Sequence, residues 1–160
     1  MPGLFGGDLA KATKHVNVSI GLNGDVAKSH VLKGRILMES SDLEGAAQSL
    51  ADALERTEKA RGAESLAAGR VRTALGDVAR LRGDLDGALG MHRKALEIDA
   101  ALLGERHPMV ARHHHNIAGV RRLRGEREEA LKEYGVALAL EKIAGEKSPA
   151  VGLTENSVSI

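Results

Sequence analysis

Three histidines stand together at His113, His114 and His115, and histidine is the side chain most often recruited for metal binding and proton transfer. Consecutive helix residues point about 100° apart, so three in a row do not converge on one ion. No His-x-x-x-His pair or nearby acidic partner completes a zinc site. The triplet therefore reads as a helix surface. His107 precedes Pro108, and that pair fixes a turn and a helix start. Arg121, Arg122, Arg124 and Arg127 make a basic run of the kind that meets polyanions. Base stacking has little to work with, because Phe5 and Tyr134 are the only aromatic residues, and Glu128 and Glu129 follow at once. No Ser/His/Asp or Cys/His arrangement, phosphate loop or paired-glycine cofactor loop stands in its proper context, and Gly21-x-x-Gly24 is too short to be one. The sequence thus describes a non-enzymatic protein with no cofactor and no metal site, and it disfavours nucleic acid as a partner.

Composition points the same way. Hydrophobic residues are 42% of the 160, enough to fill the core of one domain of ordinary size. Aromatics are 1%, so the core must be Ala, Leu, Val and Ile, which suits close-packed helices better than a β-sandwich. The formal charge of +1 argues for neither nucleic acid nor membrane. The absence of cysteine excludes disulfides and thiolate chemistry and permits a reducing compartment. Met1 to Ala10 carries no cationic segment followed by an apolar run, and no apolar run approaches the roughly 20 residues of a transmembrane helix. A cytoplasmic protein is expected, and the abundance of Ala, Arg and Gly hints at a GC-rich bacterial genome.

The elements that must position these side chains are repeated. Gly83 and Gly125 stand 42 residues apart, as do Ala88 and Ala130, Leu89 and Leu131, Ala95 and Ala137, and Leu96 and Leu138. A fixed period in this range marks a stacked-repeat architecture. The same shift brings Asp42 onto Asp84, Ala46 onto Ala88, Ala53 onto Ala95 and Gly62 onto Gly104. The spacing predicts helices near 26–39 and 43–60, near 64–81 followed by one that Asp84 caps and whose apolar stripe includes Leu85, Ala88, Leu89 and Leu103, and near 109–123 and 127–143. Ser40-Ser41 is the first turn, Gly83 ends a helix, and Asp84 caps the next. Gly104 to Pro108 is a connector, which Gly145 to Pro149 repeats.

The ends are less regular. Leu9, Ala12, Val16 and Ile20 have helical spacing, although Val16, Val18, Ile20 and Leu22 alternate as a strand would. A short helix is favoured, because Gly7-Asp8-Leu9 echoes Gly83-Asp84-Leu85, and Asp25 can cap the helix near 26–39. The domain plan is a leader or degenerate capping helix over 1–25, three repeats over 26–145 (26–62, 63–104 and 105–145), and a truncated repeat or flexible tail over 146–160.

Residue size follows the plan. Ala46, Ala88 and Ala130, with Ala53, Ala95 and Ala137 seven residues on, would let the second helix of each hairpin approach the first. Gly34, Gly76 and Ala118 are the matching small site, and Leu54, Leu96 and Leu138 would fill the gaps between hairpins. His92 falls on an apolar stripe where the other units have Leu50 and Tyr134, so it reads as a hydrogen-bonded interior histidine.

This pattern resembles the tetratricopeptide repeat. The 42-residue spacing and the connector Leu103-Gly104-Glu105-Arg106-His107-Pro108-Met109-Val110-Ala111 are similar to the longer variety found in kinesin light chains and many bacterial signalling proteins. The likeness covers 26–145 and is strongest over 75–145. Gly62-Ala63-Glu64-Ser65 lacks the His-Pro pair, so the first unit matches weakly. A HEAT or armadillo array has a similar period, but the alanine pair is the tetratricopeptide pattern. The resemblance implies an all-α solenoid of three helical hairpins, a right-handed superhelix with degenerate ends.

The resemblance also implies protein–protein interaction, with a peptide or partner helix held on a concave face lined by the first helices. The positions it carries over are Lys28, Val31, Arg35 and Met38 in the first unit, and Arg70, Thr73, Asp77 and Arg80 in the second. In the third they are Arg112, His115, Asn116, Gly119 and Arg122. Asn116 stands where kinesin-light-chain-like repeats keep an asparagine that hydrogen-bonds the ligand backbone. Its equivalents here are Ala74 and Leu32, which interrupts such a ladder. Six cations against Asp77 predict a basic groove with a preference for an acidic segment. Two alternatives remain: a regulatory segment of a larger kinase- or NTPase-associated signalling protein, and a polyanion-binding helical protein. Uncapped repeat ends are expected to self-associate or to be covered by 1–24 or 146–160.

Overall fold

The computed structural model describes residues 26–146, so the expectations for 1–25 and 147–160 lie outside the described residues. The described residues form six helices and no strand. These are α1 (Val26–Glu39), α2 (Leu43–Arg61), α3 (Leu66–Leu81), α4 (Leu85–Leu103), α5 (Pro108–Leu123) and α6 (Arg127–Glu146). They fall in two compact units, Met1–Ala95 and Leu96–Ile160, and the division passes through α4.

Three helices end alike. Ser41, Gly83 and Gly125 take left-handed φ values of 64°, 82° and 83°. The residue after each donates its N–H back to the helix: Asp42 to Leu37 O (2.9 Å), Asp84 to Ala79 O (2.9 Å), Glu126 to Arg121 O (2.9 Å). This closure satisfies carbonyls that the helix end would orphan, and it selects glycine because a Cβ is unfavourable there. Ser41 accepts the strain.

Helix starts are capped by whichever short acceptor the register offers. Asp42 accepts from Gly45 N (2.9 Å) and Asp84 from Gly87 N (3.0 Å). Ser65 accepts from Ala68 N (3.1 Å), and His107 Nδ1 accepts from Met109 N (3.1 Å) with Pro108 in the first turn. Ser65 thus performs the task of His107 one repeat earlier, and the connector without His-Pro makes an equivalent turn after Gly62 (φ 93°) as the other does after Gly104 (φ 95°). One boundary departs from expectation. α6 continues through Gly145 to Glu146, because glycine permits a left-handed exit without forcing one.

In the first unit, Ala46, Leu50 and Ala53 of α2 bury against Ala67, Val71, Ala74 and Val78 of α3. The small sites are needed. A Cβ on Gly34 would stand 2.8 Å from Leu50 side-chain atoms, and one on Gly76 would stand 2.8 Å from the His92 ring. In the second unit, Ile98, Val110, Ala111, Ile117, Ala118, Val120, Ala130 and Ala137 are buried. The expected row of gap-filling leucines is incomplete. Leu54 and Leu96 are partly buried, but Leu138 is 65% exposed because no described helix covers that side of α6. Among the described residues, no helix is long and apolar enough to cross a membrane.

Candidate functional site

The positions carried over from the resemblance lie on α1, α3 and α5. On α3, Arg70, Thr73, Asp77 and Arg80 recur at helical spacing and share one face. Arg70 is exposed and Arg80 half-buried. Thr73 is 9% exposed, and its hydroxyl donates to Gly69 O at 3.0 Å, so its polar group is spent within its own helix. Asp77 Oδ1 lies 3.6 Å from Nε2 of the fully buried His92. On α1, Arg35 is exposed, whereas Val31 and Met38 pack against the α2–α3 core. The Lys28 side chain lies outside the described residues.

On α5, Arg112, His115 and Arg122 are exposed, and Asn116 and Gly119 are half-buried. The His115 ring meets the edge of Tyr134, centroids 5.2 Å apart at 68°. A Cβ on Gly119 would stand 4.0 Å from the Tyr134 hydroxyl, an ordinary van der Waals contact.

Charge separates these residues from their neighbours. Arg72 pairs with Glu58, Arg82 with Glu44 (3.0 Å), and Arg121 and Arg124 with Glu126 (3.0 and 3.1 Å). Among the described residues, Arg35, Arg70, Arg80, Arg112 and Arg122 have no ion-pair partner. Arg70 and Arg112 occupy one register position, Arg80 and Arg122 another.

The histidine triplet is not a helix surface. Its three rings diverge, as consecutive helix positions must, and only His115 is exposed. His113 is fully buried, with Nε2 2.7 Å from Asp99 Oδ2. His114 Nδ1 lies 2.6 Å from Glu133 Oε2. Acidic partners are therefore present for His113 and His114, but they stand 14 and 19 residues away in sequence where no linear motif shows them. Among the described residues, no group of three potential metal ligands forms. His92 is interior as expected, seated over Gly76. The sequence alone does not single out His30; it is 7% exposed, and burial, then Arg56 and Lys33, hold its pKa below the ordinary 6.5.

The sequence profile of the tetratricopeptide repeat matches residues 25–101 and, overlapping them, 73–142. The chain belongs to the tetratricopeptide repeat family. Its fold is similar to that of BtubC (BKLC) from P. vanneervenii, at 22% identity and a TM-score of 0.76, covering 89% of this chain and 60% of that one. It is also similar to kinesin-light-chain-type repeats of Podosopora anserina, at 16% identity and a TM-score of 0.69, covering 81% and 62%. MamA aligns at 20% identity and a TM-score of 0.63, covering 86% and 71%. The chain spans about 60% of the length of the first two of these structures. At such identities the likeness describes the fold. No curated protein sequence matches the chain. In tetratricopeptide terms, the unpaired arginines lie on the first helices of their hairpins.

Proposed function

We propose that this chain is a non-enzymatic interaction module whose first helices hold an acidic peptide or partner helix. Tetratricopeptide repeats in general mediate protein–protein contacts. The observation that carries the finer reading is the recurrence of Arg70 as Arg112 and of Arg80 as Arg122, all without ion-pair partners among the described residues. A guanidinium not engaged with a carboxylate of its own chain is available for bidentate pairing with one from a ligand. Asn116, on the same helix as Arg112 and Arg122, supplies an amide for a ligand backbone. The cysteine-free, Ala-, Arg- and Gly-rich composition supports a cytoplasmic, bacterial setting for this module.

The test is fluorescence anisotropy with matched acidic and basic peptides. The acidic peptide binds more tightly, and an Arg112→Glu/Asn116→Ala variant of unchanged helicity by circular dichroism loses that preference. Equal affinity for the two peptides overturns the reading.

The exposed side of α6 supports a second surface, one that takes another copy of the chain. Leu131 and Leu138 are 70% and 65% exposed. Their register equivalents in α2, Ala47 and Leu54, pack against the α2–α3 core, so this register takes a first helix. Leu32 of α1, 47% exposed, holds the register of the buried Ala74 and supplies the complementary face. Sedimentation over a range of concentrations should show association that Leu131→Lys/Leu138→Lys abolishes. A monomer throughout overturns this reading.

A further inference from the structure

The α1–α2 hairpin contains a polar cleft in which three buried polar atoms have no hydrogen-bond partner among the described residues. The cleft, about 460 Å³, is lined by His30, Lys33 and Leu37 of α1 and by Ser49, Asp52 and Arg56 of α2 among others. That volume is in the range of small-ligand sites. Both ring nitrogens of His30 and the Ser49 hydroxyl are buried and have no hydrogen-bond partner among the described residues. A buried polar atom left unsatisfied costs about 1–3 kcal/mol, so a ligand that pairs with these atoms would be favoured here.

The repeat identifies the chemistry of that occupant. His30 and His114 share a register position, and so do Ser49 and Glu133. In the α5–α6 hairpin, the Glu133 carboxylate lies 2.6 Å from His114 Nδ1, with Arg121 Nε 3.8 Å from its other oxygen. In the α1–α2 hairpin, the position of Glu133 has shrunk to serine and that of Arg121 to Leu37. The imidazole is kept while its carboxylate is missing.

We propose that the cleft between α1 and α2 binds a carboxylate, free or on an acidic side chain, in the place that Glu133 occupies in the α5–α6 hairpin. His30 and Ser49 donate hydrogen bonds to it. The charged groups around the imidazole favour an anion: Arg56 and Lys33 each act on it more strongly than Asp52 does. Asp42, also on the rim, has an oxygen committed to capping Gly45 N. None of Arg70, Arg80, Arg112 and Arg122 lines this cleft, and the proposal does not depend on what they bind.

The experiment is an NMR titration of the full chain, following the His30 ring and the Ser49 amide, with glutarate in one arm and a glutamate-containing peptide in the other. Saturable shifts at both residues with either probe are expected. The arm that saturates at the lower concentration tells a free acid from an acidic side chain. Two variants remove the site differently. Ser49→Glu supplies the carboxylate from within, so the ring should titrate as a paired histidine and the affinity should fall about tenfold or more. His30→Leu removes the donor, keeps the site apolar, and should weaken binding to a similar extent. The proposal is overturned if neither probe moves the His30 signals saturably, the cleft then holding water alone, or if His30→Leu binds as well as the wild type.

Discussion

In the α5–α6 hairpin, His114, Glu133, Arg121 and Glu126 are linked by charged contacts of 2.6 to 3.8 Å. In the α1–α2 hairpin the same register positions hold His30, Ser49, Leu37 and Asp42, and the helices enclose a cleft instead. Yet the backbone turns between helices match, and the alanines at the helix crossings are buried in both. Side-chain bracing within a hairpin is therefore replaceable, whereas the small crossing positions and the left-handed turn conformation, carried by Ser41 in one hairpin and Gly125 in the other, are kept. What the repeat preserves is the geometry of helix approach; what it varies is the polar content held between the helices.

The sharpest way to break this comparison is at the most buried polar pair. Replacing Asp99 by Ala strands the His113 ring without its 2.7 Å partner, and should cost about 3–5 kcal/mol in urea unfolding. A small loss would mean that the pair is as replaceable as the His114 bracing. Next come the crossings. Gly34→Ala, Gly76→Ala and Ala88→Leu should each cost about 1–3 kcal/mol by overpacking. Adding His92→Ala to Gly76→Ala should recover part of that loss in a double-mutant cycle, because the added carbon meets that ring. The turns should then give opposite signs at one register position. Ser41→Gly should stabilise and Gly125→Ala destabilise, each by about 1 kcal/mol, read by thermal melting.

The smallest effect is a pH slope. Burial, with Arg56 and Lys33 outweighing Asp52, lowers the pKa of His30 in the fold, so the unfolded chain takes up the proton first. The stability from the neutral ring is complete above the ordinary value of 6.5 and is lost as pH falls from there through the lower folded value. His30→Leu should flatten that part of the stability–pH curve.

Much of the fold was legible in the sequence because its determinants are periodic and local. Gly83, Asp84 and Ala88 specify a helix end, a cap and a crossing within six residues, and recur. Ser65 was harder to read, because a serine hydroxyl and a histidine ring nitrogen serve the same cap by different chemistry. The candidate face could be read as a set of register positions, but the exposure of each side chain could not. The Thr73 hydroxyl has the polarity of a ligand contact, yet it is bonded to Gly69. Asp99 with His113 and Glu133 with His114 join residues on different helices, so only the fold brings them together. A comparison of residues 19 apart across the hairpins would have aligned His114 and Glu133 with His30 and Ser49.

The contact between His115 and Tyr134 has a practical consequence. Tyr134 is the only tyrosine and the chain has no tryptophan, so near-ultraviolet emission comes almost entirely from one ring. That ring is in edge contact with an exposed imidazole on the same helix as Arg112 and Arg122. A ligand settling on α5 beside His115 would change the surroundings of a single fluorophore, and the protein carries its own optical reporter without a label.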